Sequence, residues 1–197
     1  MTQEYYINIL KENLTDVQII SPEWFLEQPT NQILDYSYII SFTKDKNLRK
    51  HIINFIDYHH LPLATYIHDS TIGTFFSKLS FFDNVGSGTF IGPNNLILDN
   101  TKIGKHCIIE LSCNISHNVS INDNSIIHAV SSIGGRSKIG KNCELNMSCN
   151  VLPKITICDN VTIGAVSNVT KNITEPGFYA GYRARKTVPN NQTNQQL

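Results

Sequence analysis

From Val85 to Val169 an aliphatic residue returns at every sixth position without a miss: Val85, Ile91, Ile97, Ile103, Ile109, Ile115, Ile121, Ile127, Ile133, Ile139, Leu145, Val151, Ile157, Ile163 and Val169. An α-helix needs apolar residues about every 3.6 positions and an ordinary strand every 2, and neither holds a register of six. The period is itself the fold signal. Four positions after each beat the residue is usually small or β-branched, as at Thr89, Thr101, Cys107, Cys113, Val119, Ser125, Ser131, Ser137, Cys143 and Cys149, with Asn95 in the same slot. Glycine often follows the beat directly (Gly86, Gly92, Gly104, Gly134, Gly140, Gly164), which predicts corners with positive φ there. Each hexapeptide then reads as one short strand and a corner. Such a unit buries its aliphatic residue only by stacking on the neighbouring coil, as in a parallel β-helix. Three hexapeptides per turn make a triangular prism rising about 4.8 Å per coil, so that residues 18 apart stack.

The register explains the cysteines. Five, an odd number with no CxxC pair, argue against a disulfide framework or a thiolate zinc cage. Cys107, Cys113, Cys143 and Cys149 all fall in the small slot and read as buried packing, free cysteine behaving as a small hydrophobe, whereas Cys158 falls in an outward position and is predicted to be exposed. Sixteen basic and sixteen acidic residues cancel without a run of either sign, which gives no electrostatic footprint for nucleic acid or an anionic membrane. The opening "MTQEYYINILKENLTD" lacks the basic start and apolar stretch of a signal peptide, and no apolar run is long enough to span a bilayer; a cytoplasmic protein is expected.

Residues 1–62 follow a different pattern. "DVQIIS" and "YSYIISF" read as buried strands, "PEWFLEQ" and "KNLRKHIINFIDYHH" as helices, the latter with Leu48, Ile52, Ile53 and Ile56 at helical spacing. Strand alternating with helix predicts a small α/β domain. No glycine-rich phosphate loop follows its first strand, "YYINILKEN" having no glycine at all. The repeat body is assigned to 63–175, with 61–84 leading into it as a capping turn of blurred period. A C-terminal extension occupies 176–197, its polar end "NNQTNQQL" expected to be disordered.

Several stretches resemble the bacterial hexapeptide-repeat acyltransferases, specifically the sialic-acid O-acetyltransferase and UDP-amino-sugar N-acetyltransferase group. "SKIGKNCELNMSCNVLPKITICDNVTIGAVSNVTKNI" is similar to that group's closing coils and "EPGFYAGYRARK" to its C-terminal P-G-x-x-x-x-G-x-P-A-K/R segment. "YIISFTKDKNLRKHI" resembles the last strand and helix of its N-terminal sugar-nucleotide domain. The resemblance, over residues 36 to 187, implies a left-handed β-helix, a homotrimer, and acetyl-CoA as co-substrate in a groove between adjacent prisms. The hand comes from the resemblance alone, since parallel crossovers are right-handed in about 98% of cases.

The resemblance also implies a histidine general base, and a gap-free match of "SKIGKNC" places His117 on it. Independently, His117 lies two places past Ile115, near a corner and away from the core. A neutral imidazole, titrating near about 6.5, is suited to taking a proton from an amine or hydroxyl as it attacks a thioester. The group usually has a carboxylate directly after this histidine, where Asn118 stands here. Asp99, 18 residues earlier and so one coil below, is expected to reach Nδ1 in its place, and Gly135, one coil above, to leave space for a ligand. Matched by position, Met147 and Ala165 would line the CoA channel. Arg183 and Arg185 would meet CoA phosphates, although Arg183 replaces the group's proline. His128 projects from the next corner and is a candidate substrate contact. His51, His59, His60, His68 and His106 read as surface or packing residues.

No metal is expected. A zinc site like that of the prism-shaped γ-type carbonic anhydrases needs three imidazoles, and no pair of coil histidines lies five or 36 residues apart. The combined reading is an acetyl-CoA-dependent sugar acetyltransferase acting on a nucleotide-linked amino sugar. The alternatives are O-acetyl transfer to a sugar or glycan hydroxyl and a non-catalytic β-helix scaffold.

Overall fold

The computed structural model describes residues 25, 36–40, 45–73 and 83–187. The strand and helix expected at "DVQIIS" and "PEWFLEQ", apart from Phe25, the first strand and the disordered tail lie outside the described residues. Two compact units divide at Ala64 and Thr65.

In the first unit the helix Lys46–Tyr58 forms where the spacing predicts. Asp45 caps it, its carboxylate accepting from the N–H groups of Asn47 and Leu48 at 2.9 Å each. Its buried face consists of Ile52, Ile53, Ile56 and Arg49, while Leu48 is only half-buried. Arg49 lies inside because its Nη1 donates to the Ile40 carbonyl at 2.9 Å. Phe25 packs edge-on against Tyr38 and Phe55. "YSYIISF" contributes a single parallel bridge, Tyr38 to Leu63.

The second unit is a parallel β-solenoid of stacked coils with three faces. An eight-stranded first face contains Phe90–Ile91, Ile108–Ile109, Ile126–Ile127, Glu144–Leu145 and Val161–Ile163. A six-stranded second face contains Leu96–Ile97, Asn114–Ile115, Ser132–Ile133, Asn150–Val151 and Asn168–Val169. A four-stranded third face contains Lys102–Ile103, Ser120–Ile121, Lys138–Ile139 and Thr156–Ile157. Pairing runs in steps of 18, as Ile97 to Ile115 to Ile133 to Val151. Every beat from Ile91 to Val169 is buried in one column-like core.

The ends depart from the period. Tyr66–Ile67 and Ile72–Gly73 are already coil strands, Ile67 pairing with Ile91 and Gly73 with Ile97, a step of 24. At the other end Ile163 pairs with Tyr179, a step of 16, and the strand Gly177–Ala180 is closed by an antiparallel partner, Arg185–Thr187. No described helix is long and apolar enough to cross a membrane.

The corners correct one expectation. Positive φ falls three places after the beat, not one, at Asn94, Asn100, His106, Ser112, Asn118, Asn124, Val130, Arg136, Asn142, Ser148, Lys154, Asn160 and Val166. Asparagine predominates because it tolerates the left-handed region best among non-glycine residues. The glycines directly after the beat serve a steric purpose instead. A Cβ on Gly104 would fall 2.6 Å from the Asp123 nitrogen, and one on Gly86 2.5 Å from the Lys105 nitrogen.

The small slot is also more than packing. Thr101 Oγ1 donates to the Ser116 carbonyl at 2.8 Å and accepts from Val119 N–H at 3.4 Å; Ser125 Oγ donates to the Gly140 carbonyl at 2.8 Å and accepts from Cys143 N–H at 3.0 Å. The cysteines keep the donor half of this pattern, Cys143 Sγ reaching the Cys158 carbonyl and Cys149 Sγ the Gly164 carbonyl, each at 3.1 Å. Slot residues thus satisfy corner backbone that stacking alone leaves short of partners.

Candidate active site

Each corner carries its own chemistry. The corner between the third and first faces is a polar ladder. Lys141 Nζ pairs with Asp123 at 3.0 Å, and Asn124, Asn142 and Asn160 link amide to amide at 2.8 and 3.2 Å. The carboxylates of Asp123 and Asp159 also accept from the N–H groups of Lys105 and Lys141, at 3.0 and 2.8 Å.

His117 stands on the corner between the second and third faces, exposed. Its column reads Asp99, His117, Gly135, Pro153. A Cβ on Gly135 would lie 2.8 Å from Nε2, 3.1 Å from Cε1 and 3.2 Å from Cδ2, so the imidazole occupies the space that glycine leaves. The gap expected for a ligand at Gly135 is filled by the histidine itself.

At Nδ1 the structure places Asn118 Nδ2, 2.8 Å away. The left-handed backbone at Asn118, φ 57°, turns its side chain back toward the preceding ring. Asp99 supports the same turn through its carbonyl, which accepts from Asn118 N–H at 2.8 Å, and the His117 carbonyl accepts from Arg136 N–H at 2.9 Å. The adjacent residue thus supplies an orienting contact to the ring. An amide suits either tautomer. With Nδ2 donating, Nδ1 accepts and the ring proton sits on Nε2. With Oδ1 presented instead, Nδ1–H donates and Nε2 keeps its lone pair.

Met147 and Ala165 lie on the third corner, between the first and second faces, both exposed. Val130 and Val166 share it, 56% and 71% exposed, each in the left-handed conformation that a β-branched side chain strains to hold. The terminal hairpin seats on the same corner. Gly181 N–H donates to Ser167 Oγ at 2.9 Å, and Ala184 N–H to the Asn168 carbonyl at 2.8 Å, which places exposed Tyr182 and Arg183 beside it. Arg185 is exposed in the closing strand. The structure thus brings Asp99, His117, Asn118 and Gly135 together on one edge of the second face. Met147, Ala165 and Arg183 gather on the opposite edge.

His128 belongs to this second group but is not open to solvent. Its Nδ1 lies 3.0 Å from Glu110 Oε1 and its Nε2 3.0 Å from Glu144 Oε1. Burial works against the charged ring, but hydrogen bonds and charge from both carboxylates outweigh it and push the imidazole up to about 9. The cluster escaped the sequence reading, though Glu110 lies one 18-residue step before His128.

No family model matches the chain, and no curated protein sequence matches it. Solved structures do. The acetyltransferase domain of PglB from Neisseria gonorrhoeae, in complex with acetyl coenzyme A, superimposes with a TM-score of 0.70 at 13% identity, over 89% of this chain and 81% of that one. A histidine-substituted perosamine N-acetyltransferase from Caulobacter crescentus, in complex with CoA and GDP-perosamine, gives 0.65 at 20% identity, over 73% of this chain and 66% of that one. WeeI from Acinetobacter baumannii gives 0.56 at 15%, over 88% and 79%. The chain shares their fold. It spans about two thirds of the length of the perosamine enzyme.

Proposed function

We propose that the protein is an acetyl-CoA-dependent sugar acetyltransferase that acetylates the amine of a nucleotide-linked amino sugar, with His117 as general base. The observation that carries this reading is the held imidazole, an exposed ring stacked over Gly135 with Nδ1 against Asn118. As placed, Asn118 Nδ2 faces Nδ1; with the amide turned over, Oδ1 accepts from Nδ1–H and Nε2 is free to take a proton. The acceptor nitrogen attacks the thioester carbonyl, the C–S bond breaks as the tetrahedral adduct collapses, and CoA leaves as thiolate. The proton removed from the amine passes to Nε2 and on to that thiolate, so His117 ends each cycle neutral. The Asn118 amide orients the imidazolium without a charge of its own.

Support for the donor and acceptor classes comes from the neighbours of like fold, solved with acetyl coenzyme A or with CoA and GDP-perosamine. Support for a homotrimer comes from the separation of the two groups. His117 and the Met147, Ala165 and Arg183 corner occupy opposite edges of one face, and a second copy can present its donor corner to the first copy's histidine. We place the reaction in the cytoplasm, where both substrates are made.

The test is thiol release from acetyl-CoA against a panel of UDP-, dTDP- and GDP-linked amino sugars, with the matching hydroxy sugars beside them. Release with an amino sugar alone supports N-transfer. Release with a hydroxy sugar alone replaces it by O-transfer, and no release with any acceptor removes the reading.

A further inference from the structure

The Glu110, His128 and Glu144 cluster has no part in the chemistry just described, yet it spans three coils at the donor corner. His128 is 13% exposed and Glu110 2%, and both ring nitrogens are taken by carboxylates. Neither nitrogen is left for a substrate. The second oxygen of Glu110 is engaged as well, accepting from Ala129 N–H at 2.9 Å.

That last bond matters because of its place in the corner. Two positions after the beat, several backbone N–H groups are taken up by side-chain carboxylates. On the polar corner Lys105 and Lys141 have theirs covered by Asp123 and Asp159. On the donor corner the column reads Pro93, Leu111, Ala129, Met147, Ala165, and the Leu111 N–H below Ala129 makes no hydrogen bond among the described residues. Ala129 is covered by Glu110, while among the described residues the Met147 and Ala165 N–H groups make no hydrogen bond within the protein. An open pair of donors therefore stands directly above a closed one. Val130, next to Ala129, begins the exposed apolar series that continues through Met147 and Val166.

Resting on the acetyltransferase reading, we propose that His128, with Glu110 and Glu144, is a positioning residue that closes the lower end of the acyl-donor track. The cluster takes up Ala129 N–H and fixes the turn bearing Val130, so that the amide carbonyls of the donor's pantetheine arm register on the Met147 and Ala165 donors. His128 itself touches no substrate.

The groups that face the ring are few. Glu110 approaches from the coil below and Glu144 from the strand Glu144–Leu145. Cys113 Sγ donates to the His128 carbonyl at 3.3 Å, and its thiol, held up to about 12 mainly by burial, stays neutral while the imidazole titrates.

The experiment compares wild type with His128→Gln, using CoA binding by calorimetry and thiol-release kinetics. The expected result is a Kd for CoA and a KM for acetyl-CoA raised about tenfold, with kcat at saturating acetyl-CoA and the acceptor KM within about twofold of wild type. Between pH 7 and about 10 the wild-type Kd should rise as His128 loses its proton, and the variant should lack that rise. Lys141→Gln, which breaks an ion pair on the polar corner, serves as control and should leave the Kd unchanged. Should His128→Gln fail to fold, Glu144→Gln keeps the Glu110 pair and should give a smaller increase in Kd. A fall in thermal midpoint with unchanged Kd in whichever variant folds overturns the proposal and leaves the cluster merely structural. Wild type that binds CoA but transfers no acetyl group removes the acetyltransferase reading and leaves the positioning claim standing. Wild type that binds no CoA removes both.

Discussion

The imidazole of His117 rests over the α-carbon of Gly135, one coil further on, with Nε2 2.8 Å from where a methyl group on that glycine would lie. Gly135→Ala should accordingly displace the ring rather than the backbone, because a side-chain rotation relieves the clash. The expected outcome is a fall in kcat of about 10²-fold, since small misplacements of a catalytic group cost that much, with an unchanged circular dichroism spectrum. Full activity in Gly135→Ala would mean that this ring position is not the working one.

The contact at Nδ1 separates two candidates for the orienting role. Asn118→Ala should lower kcat about tenfold or more, whereas Asp99→Asn, which leaves the backbone acceptor in place, should cost less. Asn118→Asp supplies a carboxylate and should retain or raise activity. The stacking argument for Asp99 is favoured if Asp99→Asn proves the more damaging change.

Thiol reactivity tests the coil register. Burial pushes the Cys113 thiol up to about 12 and the Cys143 and Cys149 thiols up to about 11, which leaves almost no thiolate near neutral pH. Cys158 is half-buried rather than exposed, and burial raises its thiol. Native protein should label first at Cys158, with the four slot cysteines reacting after unfolding. Early labelling of Cys107 or Cys143 would contradict the slot assignment.

Val130 and Val166 occupy a conformation that costs a β-branched residue about 1–2 kcal/mol. Asparagine is the residue most often found at the equivalent corner position. Val166→Asn should raise the thermal midpoint while weakening CoA binding or self-association, because the exposed apolar side chain is lost. A variant that is no more stable than wild type would show that the valine is not strained.

How much of this was legible in the sequence follows from the period. An unbroken beat from Val85 to Val169 can be buried by stacking hexapeptides 18 residues apart, and the observed register of Ile97 on Ile115 on Ile133 does so, with Val85 at the end only partly covered. The corner chemistry was harder to read. Glycine after the beat suggested positive φ, but the left-handed residue lies two places later and is often asparagine; the glycine is there because the next coil's backbone passes too close for a Cβ. The slot residues looked like packing because hydrogen bonds to carbonyls 15 residues on leave no trace in composition. Stacking placed Asp99 and Gly135 correctly on the His117 column, yet could not foresee that Asn118 would fold back onto the ring. The buried charge of His128 was hidden in the same way, since Glu144 joins it from a neighbouring strand position and not from an 18-residue step.

The central claim is that His117 takes the acceptor's proton, and the most direct measurement is the turnover of His117→Ala at saturating acetyl-CoA with the best amino-sugar nucleotide from the panel. The account predicts a loss of about 10²- to 10⁴-fold in kcat, the usual range for a general base, with CoA affinity by calorimetry unchanged. Turnover within about twofold of wild type, in a variant that still binds CoA, would contradict it.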